Sequence, residues 1–136
     1  MKNNVGLCIM LVIVLLVLGF IMFGSVGSSF NGQYRNNVNK EANVMISDNG
    51  DGTFAVVFVK CSELTNGTFM TYPVQIESIE LDENVLRDTI FSGDLEIHLN
   101  KDSITIPKGK ALGNEEFEGT YKKERHISKA DPENFK

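Results

Sequence analysis

The chain has little of what catalytic and nucleic-acid-binding proteins usually need. Its 136 residues include no Trp, two His, two Cys and three Pro. Thirteen basic residues face 18 acidic ones, so the formal net charge is −5, and no basic cluster occurs outside the last residues. Nucleic-acid binding requires a positive surface, so we expect no nucleic-acid partner. A His-rich metal site is excluded by the histidine count.

Motifs of the common enzyme classes are also missing from the sequence. It contains no Gly-x-Ser-x-Gly, no P-loop and no Gly-x-Gly-x-x-Gly. The acidic turn at residues 48–52 does not fit an EF-hand, because the twelfth position counted from Asp48 is Val59, which cannot bind calcium. His98 lies beside Glu96 on the polar face of a predicted strand and is expected to be solvated. We therefore expect a non-enzymatic protein without a cofactor or metal.

One long apolar run is present, at the N-terminus. Residues 5–23 carry no charge and follow Lys2, and a run of this length can cross a bilayer of about 30 Å as a helix. Small residues follow it and offer a cleavage site after Gly27. Two interpretations stay open: residues 1–27 are a cleaved signal peptide, or an uncleaved signal-anchor helix that contacts the membrane through residues 5–23.

Both interpretations export the rest of the chain, because Lys2 holds the N-terminus inside. The protein is then expected in the periplasm, the cell envelope or the extracellular space. Cys8 lies within the apolar run, so Cys61 is the one exported cysteine and no internal disulfide is predicted.

The exported part shows the period of β-strands almost throughout. Residues 54–59, Phe-Ala-Val-Val-Phe-Val, are apolar at every position, which predicts a strand covered on both faces. The preceding turn, residues 48–52, contains Asn-Gly and Asp-Gly pairs and predicts a hairpin. The apolar phase slips by one residue between Ile76 and Ile79, which predicts a bulge near Ser78. Strands are predicted near 30–35, 41–47, 53–61, 69–76, 78–82, 87–92, 94–99, 103–107 and 116–122.

A repeated pattern predicts how the sheet closes. Phe30-x-Gly32-x-Tyr34 opens the exported part and Phe117-x-Gly119-x-Tyr121 nearly ends it. Pairing of the two strands that carry this pattern would close a barrel. The fold class is therefore all-β, a small antiparallel up-and-down barrel of about eight strands over residues 28–122; a two-sheet sandwich, which would leave the two patterns apart, is the alternative. Residues 123–136 are polar without a sustained period and predict a frayed C-terminal tail.

The segment Asn43 to Val56, the segment Pro73 to Leu81 and the closing Phe117-x-Gly-x-Tyr together resemble small bacterial secreted calycin-like (lipocalin-like) β-barrel domains. The most specific part is Ile-Ser-Asp-Asn-Gly-Asp-Gly-Thr-Phe at residues 46–54. The resemblance implies an up-and-down barrel in the cell envelope with no settled biochemical activity, and it supplies no catalytic residues.

Aromatic side chains are the remaining lead to function. An eight-stranded barrel is just wide enough for its own side chains or for one small ligand. The candidate interior and ligand-binding residues are Phe54, Phe58, Phe69, Tyr72 and Phe91. Two functions follow: a binding protein for a small apolar ligand held among these residues, or a structural and protein-interaction module of the envelope whose core is filled.

Overall fold

A computed structural model of the chain describes residues 29–88 and 93–136. In this part of the chain, eight antiparallel strands each pair with the next, and the last pairs with the first, so that the sheet closes into a barrel. The predicted all-β class and the closure are confirmed. Two short 3-10 helices cover Glu115–Phe117 and Pro132–Asn134. The strands are β1 (Gly32–Asn36), β2 (Ala42–Asp48), β3 (Thr53–Leu64), β4 (Gly67–Asp82), β5 (Val85–Arg87), β6 (Glu96–Leu99), β7 (Ser103–Ile106) and β8 (Gly119–Arg125).

The predicted N-terminal helix lies outside the described residues. Within residues 29–88 and 93–136, no helix has the length and apolar character needed to span a bilayer.

The repeated pattern builds the closing seam. Asn36 of β1 pairs with Tyr121 of β8. The hydroxyl of Tyr34 donates a hydrogen bond of 2.7 Å to the backbone carbonyl of Phe30, and the hydroxyl of Tyr121 donates one of 2.5 Å to that of Phe117. In each Phe-x-Gly-x-Tyr segment, the Tyr hydroxyl thus bonds to the carbonyl of the Phe four residues earlier. The two tyrosines lie on neighbouring strands.

The barrel interior is filled by apolar side chains. In β3, Phe54, Val56 and Phe58 point inward and are at most 2% exposed. The ring of Phe58 stacks on that of Phe117, with 4.7 Å between the centroids. The core also contains Tyr34, Val44, Ile46, Val74, Ile79, Leu86, Leu95, Ile97, Leu99, Ile104, Ile106 and Tyr121.

The outer face of β2 and β3 is covered by the C-terminal segment, residues 126–136. Ile127 and Ala130 are buried there against a second apolar cluster that includes Met45, Val57 and Val59. The predicted covering of residues 54–59 on both faces is thereby confirmed. The frayed tail was a wrong prediction: Ala130 N–H donates to Ser47 Oγ (2.8 Å), and the Gln33 amide donates to the carbonyl of Lys136 (2.9 Å).

Two predicted strands, 69–76 and 78–82, form the single long strand β4. The bulge predicted near Ser78 is confirmed, since Phe54 pairs with Ile79 but Val56 pairs with Ile76. A second irregularity lies at residues 72–73, between the pairs Phe58–Val74 and Lys60–Thr71. Pro73 has no N–H to donate to a ladder, which suits a bulge.

Candidate functional site

The five candidate interior residues do not meet in one site. Phe54 and Phe58 lie in the filled core. Phe69 lies on β4 beyond the barrel rim and is 57% exposed. Tyr72 packs against the second cluster on the outer face, because the bulge at residues 72–73 changes which face it points to. Phe91 lies outside the described residues.

The β3–β4 hairpin extends past the barrel. β2 pairs with β3 only as far as the pair Ala42–Lys60. β3 and β4 continue to pair with each other from Lys60–Thr71 to Leu64–Gly67. We call residues 61–70 the projecting hairpin. The Cys61 N–H donates to the carbonyl of Glu41 (2.9 Å), in the turn just before β2.

The projecting hairpin exposes apolar side chains on both of its faces. Leu64 is 62% exposed and Met70 is 40% exposed, beside Phe69. Directly paired residues share a face, and the face alternates along each strand. The register therefore puts Leu64 and Phe69 on the continuation of the barrel's inner face. We call this pair the apolar shelf. Met70 lies on the outer face, where its sulfur accepts a hydrogen bond of 3.9 Å from the Tyr72 hydroxyl.

The two ends of the barrel differ in polarity. The hairpin end carries the projecting hairpin and the β1–β2 loop, where Val38 is 91% exposed. The four large apolar side chains that are exposed in the described residues, Val38, Leu64, Phe69 and Met70, all lie at this end. Such one-sided apolar exposure is typical of an interaction site.

The opposite end, which we call the entry end, is where the described chain begins. Asp48 N–H donates to Asn31 Oδ1 (2.7 Å), and Lys123 Nζ donates to the Ser29 carbonyl (2.6 Å). Its β2–β3 turn is polar and exposed at residues 49–52. Ser29 and the apolar shelf are thus separated by the length of β3, roughly 35 Å at 3.3 Å per residue.

Sequence reasoning missed Leu64 and the tip of the hairpin because it ended one strand at residue 61 and began the next at 69; Met70 fell within that predicted strand but was not singled out. A signal for them was present. The Asn66-Gly67 pair between the two strands is a turn signal, and a two-residue turn at Thr65-Asn66 makes Leu64 and Gly67 partners. Counting outward from such a turn extends both strands into the projecting hairpin.

A charged cluster lies on the outer face of β5 and β6. Glu96 contacts Arg87 (3.2 Å) and His98 (3.3 Å), and Lys110 lies 3.9 Å away. The hydrogen bond from His98 is the main reason that the pKa of Glu96 falls below its ordinary value, with Arg87 and Lys110 adding to the effect. His98 is exposed, as predicted. In the described part of the chain, no group of three or more His, Cys, Asp or Glu side chains could hold a metal ion.

The two seam tyrosines, Tyr34 and Tyr121, are fully buried titratable groups. Burial raises the pKa of Tyr34 far above its ordinary value, and Asp102 raises it further. Burial likewise raises the pKa of Tyr121, with a smaller contribution from Glu116. Both hydroxyls are occupied by their bonds to backbone carbonyls. Each tyrosine therefore fixes the segment that leads into its own strand beside the seam.

Two surface cavities flank the base of β4. One, of about 500 Å³, lies between the C-terminal segment and the outer face of β3 and β4, and its lining includes Thr53, Gln75 and Lys129. The other, of about 450 Å³, lies beside residues 73–76 and is lined also by Leu112 and Asn114. Neither includes the apolar shelf.

No family model, curated protein or solved structure matches this chain. Its own geometry therefore carries the functional argument.

Proposed function

We propose that this protein is an exported, non-enzymatic binding module that docks a protein partner on the apolar shelf. The observation that carries the proposal is the exposure of Leu64 and Phe69 on a hairpin that extends beyond the barrel. Burying such side chains against a partner removes apolar surface from water, at about 25 cal/mol per Å².

The position of the shelf favours a protein over a lipid surface. Ser29, which follows the membrane-directed segment, lies at the entry end. If residues 5–23 are retained in the bilayer, the shelf is the part of the barrel that points away from it. A partner that stands off the membrane can reach the shelf, whereas the lipid surface lies at the other end.

The filled interior supports protein docking over a small apolar ligand in the barrel. Phe54 and Phe58 are buried among other side chains, and Phe58 is stacked on Phe117. A ligand at this place would have to displace the stack. The closed eight-stranded barrel agrees with the architecture that the calycin-like resemblance implies, and we propose that family as the origin of the fold; fold alone does not assign the ligand.

Site-specific photocrosslinking tests the proposal. A photoreactive residue at Phe69, introduced into the full chain in its own cell, is expected to crosslink one envelope protein. The matched control carries the probe at Glu80, which is also exposed on β4 but at the other end of the strand. The crosslink from position 69 should disappear with Leu64→Ser and persist with Glu63→Ser, its exposed neighbour on the opposite face.

Native mass spectrometry of the protein isolated from its cell supplies the contrary outcome. A small molecule retained at a one-to-one ratio, lost on Phe58→Leu and kept on Phe69→Ser, would overturn docking on the shelf. Equal crosslinking from positions 69 and 80 would also contradict the proposal.

A further inference from the structure

One long edge of the sheet has no strand beside it in the described part of the chain. β4 runs for 16 residues and pairs with β3 along one side. On its other side β5 meets it only at Leu81 and Asp82. Residues 67–80 therefore present a free edge among the described residues. Free strand edges are templates for pairing with another strand.

The two halves of this edge are protected very differently. Residues 73–80 include Pro73, the bulge before Ile79, and the acidic Glu77 and Glu80. Proline, bulges and charges are the usual means by which proteins prevent edge pairing. Residues 68–72, Thr-Phe-Met-Thr-Tyr, contain no charge, no proline and no glycine, and aromatic and β-branched residues favour strands. We call residues 68–72 the bare edge.

The composition of the bare edge selects a second copy of this chain as its occupant. Two identical strands that pair antiparallel about a two-fold axis bring each residue opposite its own kind or a near neighbour. Like charges placed directly opposite destabilise such a pair. The acidic half of β4 would therefore repel its own copy, whereas the uncharged bare edge does not. The whole chain has a formal net charge of −5, and this repulsion between copies disfavours contacts through their charged surfaces.

We infer that the protein forms a two-fold dimer by antiparallel pairing of the bare edges of two copies, centred on Met70. Thr68 then lies opposite Tyr72 of the second copy, and Phe69 opposite Thr71. The two projecting hairpins become one four-stranded sheet. A two-fold axis perpendicular to a sheet keeps each face on its own side, so both apolar shelves lie on one face and form a single larger surface.

The pairing predicts one distance from the observed register. Cys61 pairs with Met70 across β3 and β4. The two Cys61 residues of a dimer are therefore separated by three strand spacings, about 14 Å between their Cα atoms at about 4.8 Å each. Cys61 is free and partly exposed, so it accepts a spin label.

The experiment is electron paramagnetic resonance of the full chain carrying Cys8→Ala and a nitroxide on Cys61, in neutral detergent micelles. We expect dipolar broadening that fits this separation and fades when labelled protein is diluted with unlabelled protein. Met70→Lys places two like charges opposite each other and should abolish the broadening, as should Met70→Glu. An equal mixture of the two variants should restore it, because each pair then joins opposite charges.

Ser78→Lys is the matched control, since it adds the same charge to the exposed, protected half of β4. It should leave the broadening unchanged. A monomeric protein without broadening, a dimer insensitive to Met70→Lys, or a mixture that fails to restore pairing would each overturn the inference. A crosslink from position 69 to a different protein is told apart by its mass from a crosslink between two copies, so failure of the dimer is distinguishable from failure of the proposed function.

Discussion

The base and the tip of the β3–β4 hairpin are made by the same two strands under opposite conditions. At the base, Phe54 and Phe58 face a filled core, while Val57 faces the C-terminal segment. At the tip, Leu64 and Phe69 face no covering element among the described residues and are more than half exposed. Burial of the base on both sides therefore supplies the stability on which an uncovered tip can project. Stability and binding surface are separated along the length of one hairpin.

Truncation of a core side chain at the base should cause the largest loss in the free energy of unfolding. Phe58→Ala removes a fully buried ring and its stack with Phe117. Large-to-small changes of buried aromatics cost about 3–5 kcal/mol. Urea unfolding followed by circular dichroism should show this loss. A cost below about 1 kcal/mol would mean that the interior holds space that neighbouring side chains can fill.

Truncation in the C-terminal segment, which covers the outer face of the base, should have the second largest effect on the free energy of unfolding. Ile127→Ala removes a side chain that is 4% exposed and packs against the second cluster. Truncation of a buried Ile costs about 2–5 kcal/mol, and we expect the low end of that range because the segment lies on the barrel surface. His126→Ala, at an exposed neighbour, is the control. Equal denaturation midpoints for both variants would show that the C-terminal segment does not stabilise the base.

The seam tyrosines make the stability of the barrel depend on pH. Their pKa values are raised in the folded protein, so their contribution to stability is complete below the unfolded value of about 10 and is lost as the pH rises beyond it. Tyr121→Phe should cost about 1–2 kcal/mol at neutral pH, because the Phe117 carbonyl loses its buried donor.

The same variant should also lose stability less steeply above pH 10 than the wild type, which retains both seam tyrosines. Thermal unfolding measured from pH 7 to 11 tests both effects. Tyr72→Phe, which leaves both seam tyrosines in place, is the matched control variant. If Tyr121→Phe and the wild type fall in parallel, other groups cause the alkaline loss.

The tip should give the smallest effect on stability. Phe69→Ser changes an exposed side chain and should shift the free energy of unfolding by no more than about 0.5 kcal/mol. Chemical denaturation beside the Phe58→Ala variant makes the contrast direct. A loss above about 2 kcal/mol would show that Phe69 packs on the barrel, and the separation of base from tip would fail.

The two ends of the hairpin also differ in how far sequence predicts them. Alternating apolar residues predict the strands because a strand depends on local spacing. The repeated Phe-x-Gly-x-Tyr pattern predicts the closure because it marks the two segments that pair. The projecting hairpin was missed because periodicity shows which residues share a face but not how far neighbouring strands accompany them. The apolar alternation around Phe69 would be the same whether or not β2 continued far enough to cover the hairpin.

The C-terminal segment was missed for a related reason. Ile127 and Ala130 are too few to establish a strand or helix period, and their partners are far away in the sequence, such as Met45 and Val57. Such a segment is ordered by the surface on which it lies. Of the candidate interior residues, Phe54 and Phe58 lie inside the barrel, while the bulge at residues 72–73 turns Tyr72 outward.

The closing seam has a consequence for the time course of folding. The amide of Asn36 donates to the carbonyl of Glu118, 82 positions later in the chain. At a synthesis rate of about 5–20 residues per second, β1 waits roughly 4–16 s for the strand that completes it. During that interval the half-built sheet has an open side, and the tyrosine at its first strand meets water. Protection of β1 amides from hydrogen exchange should therefore arise late in refolding, together with that of β8, because contacts of such long range close slowly.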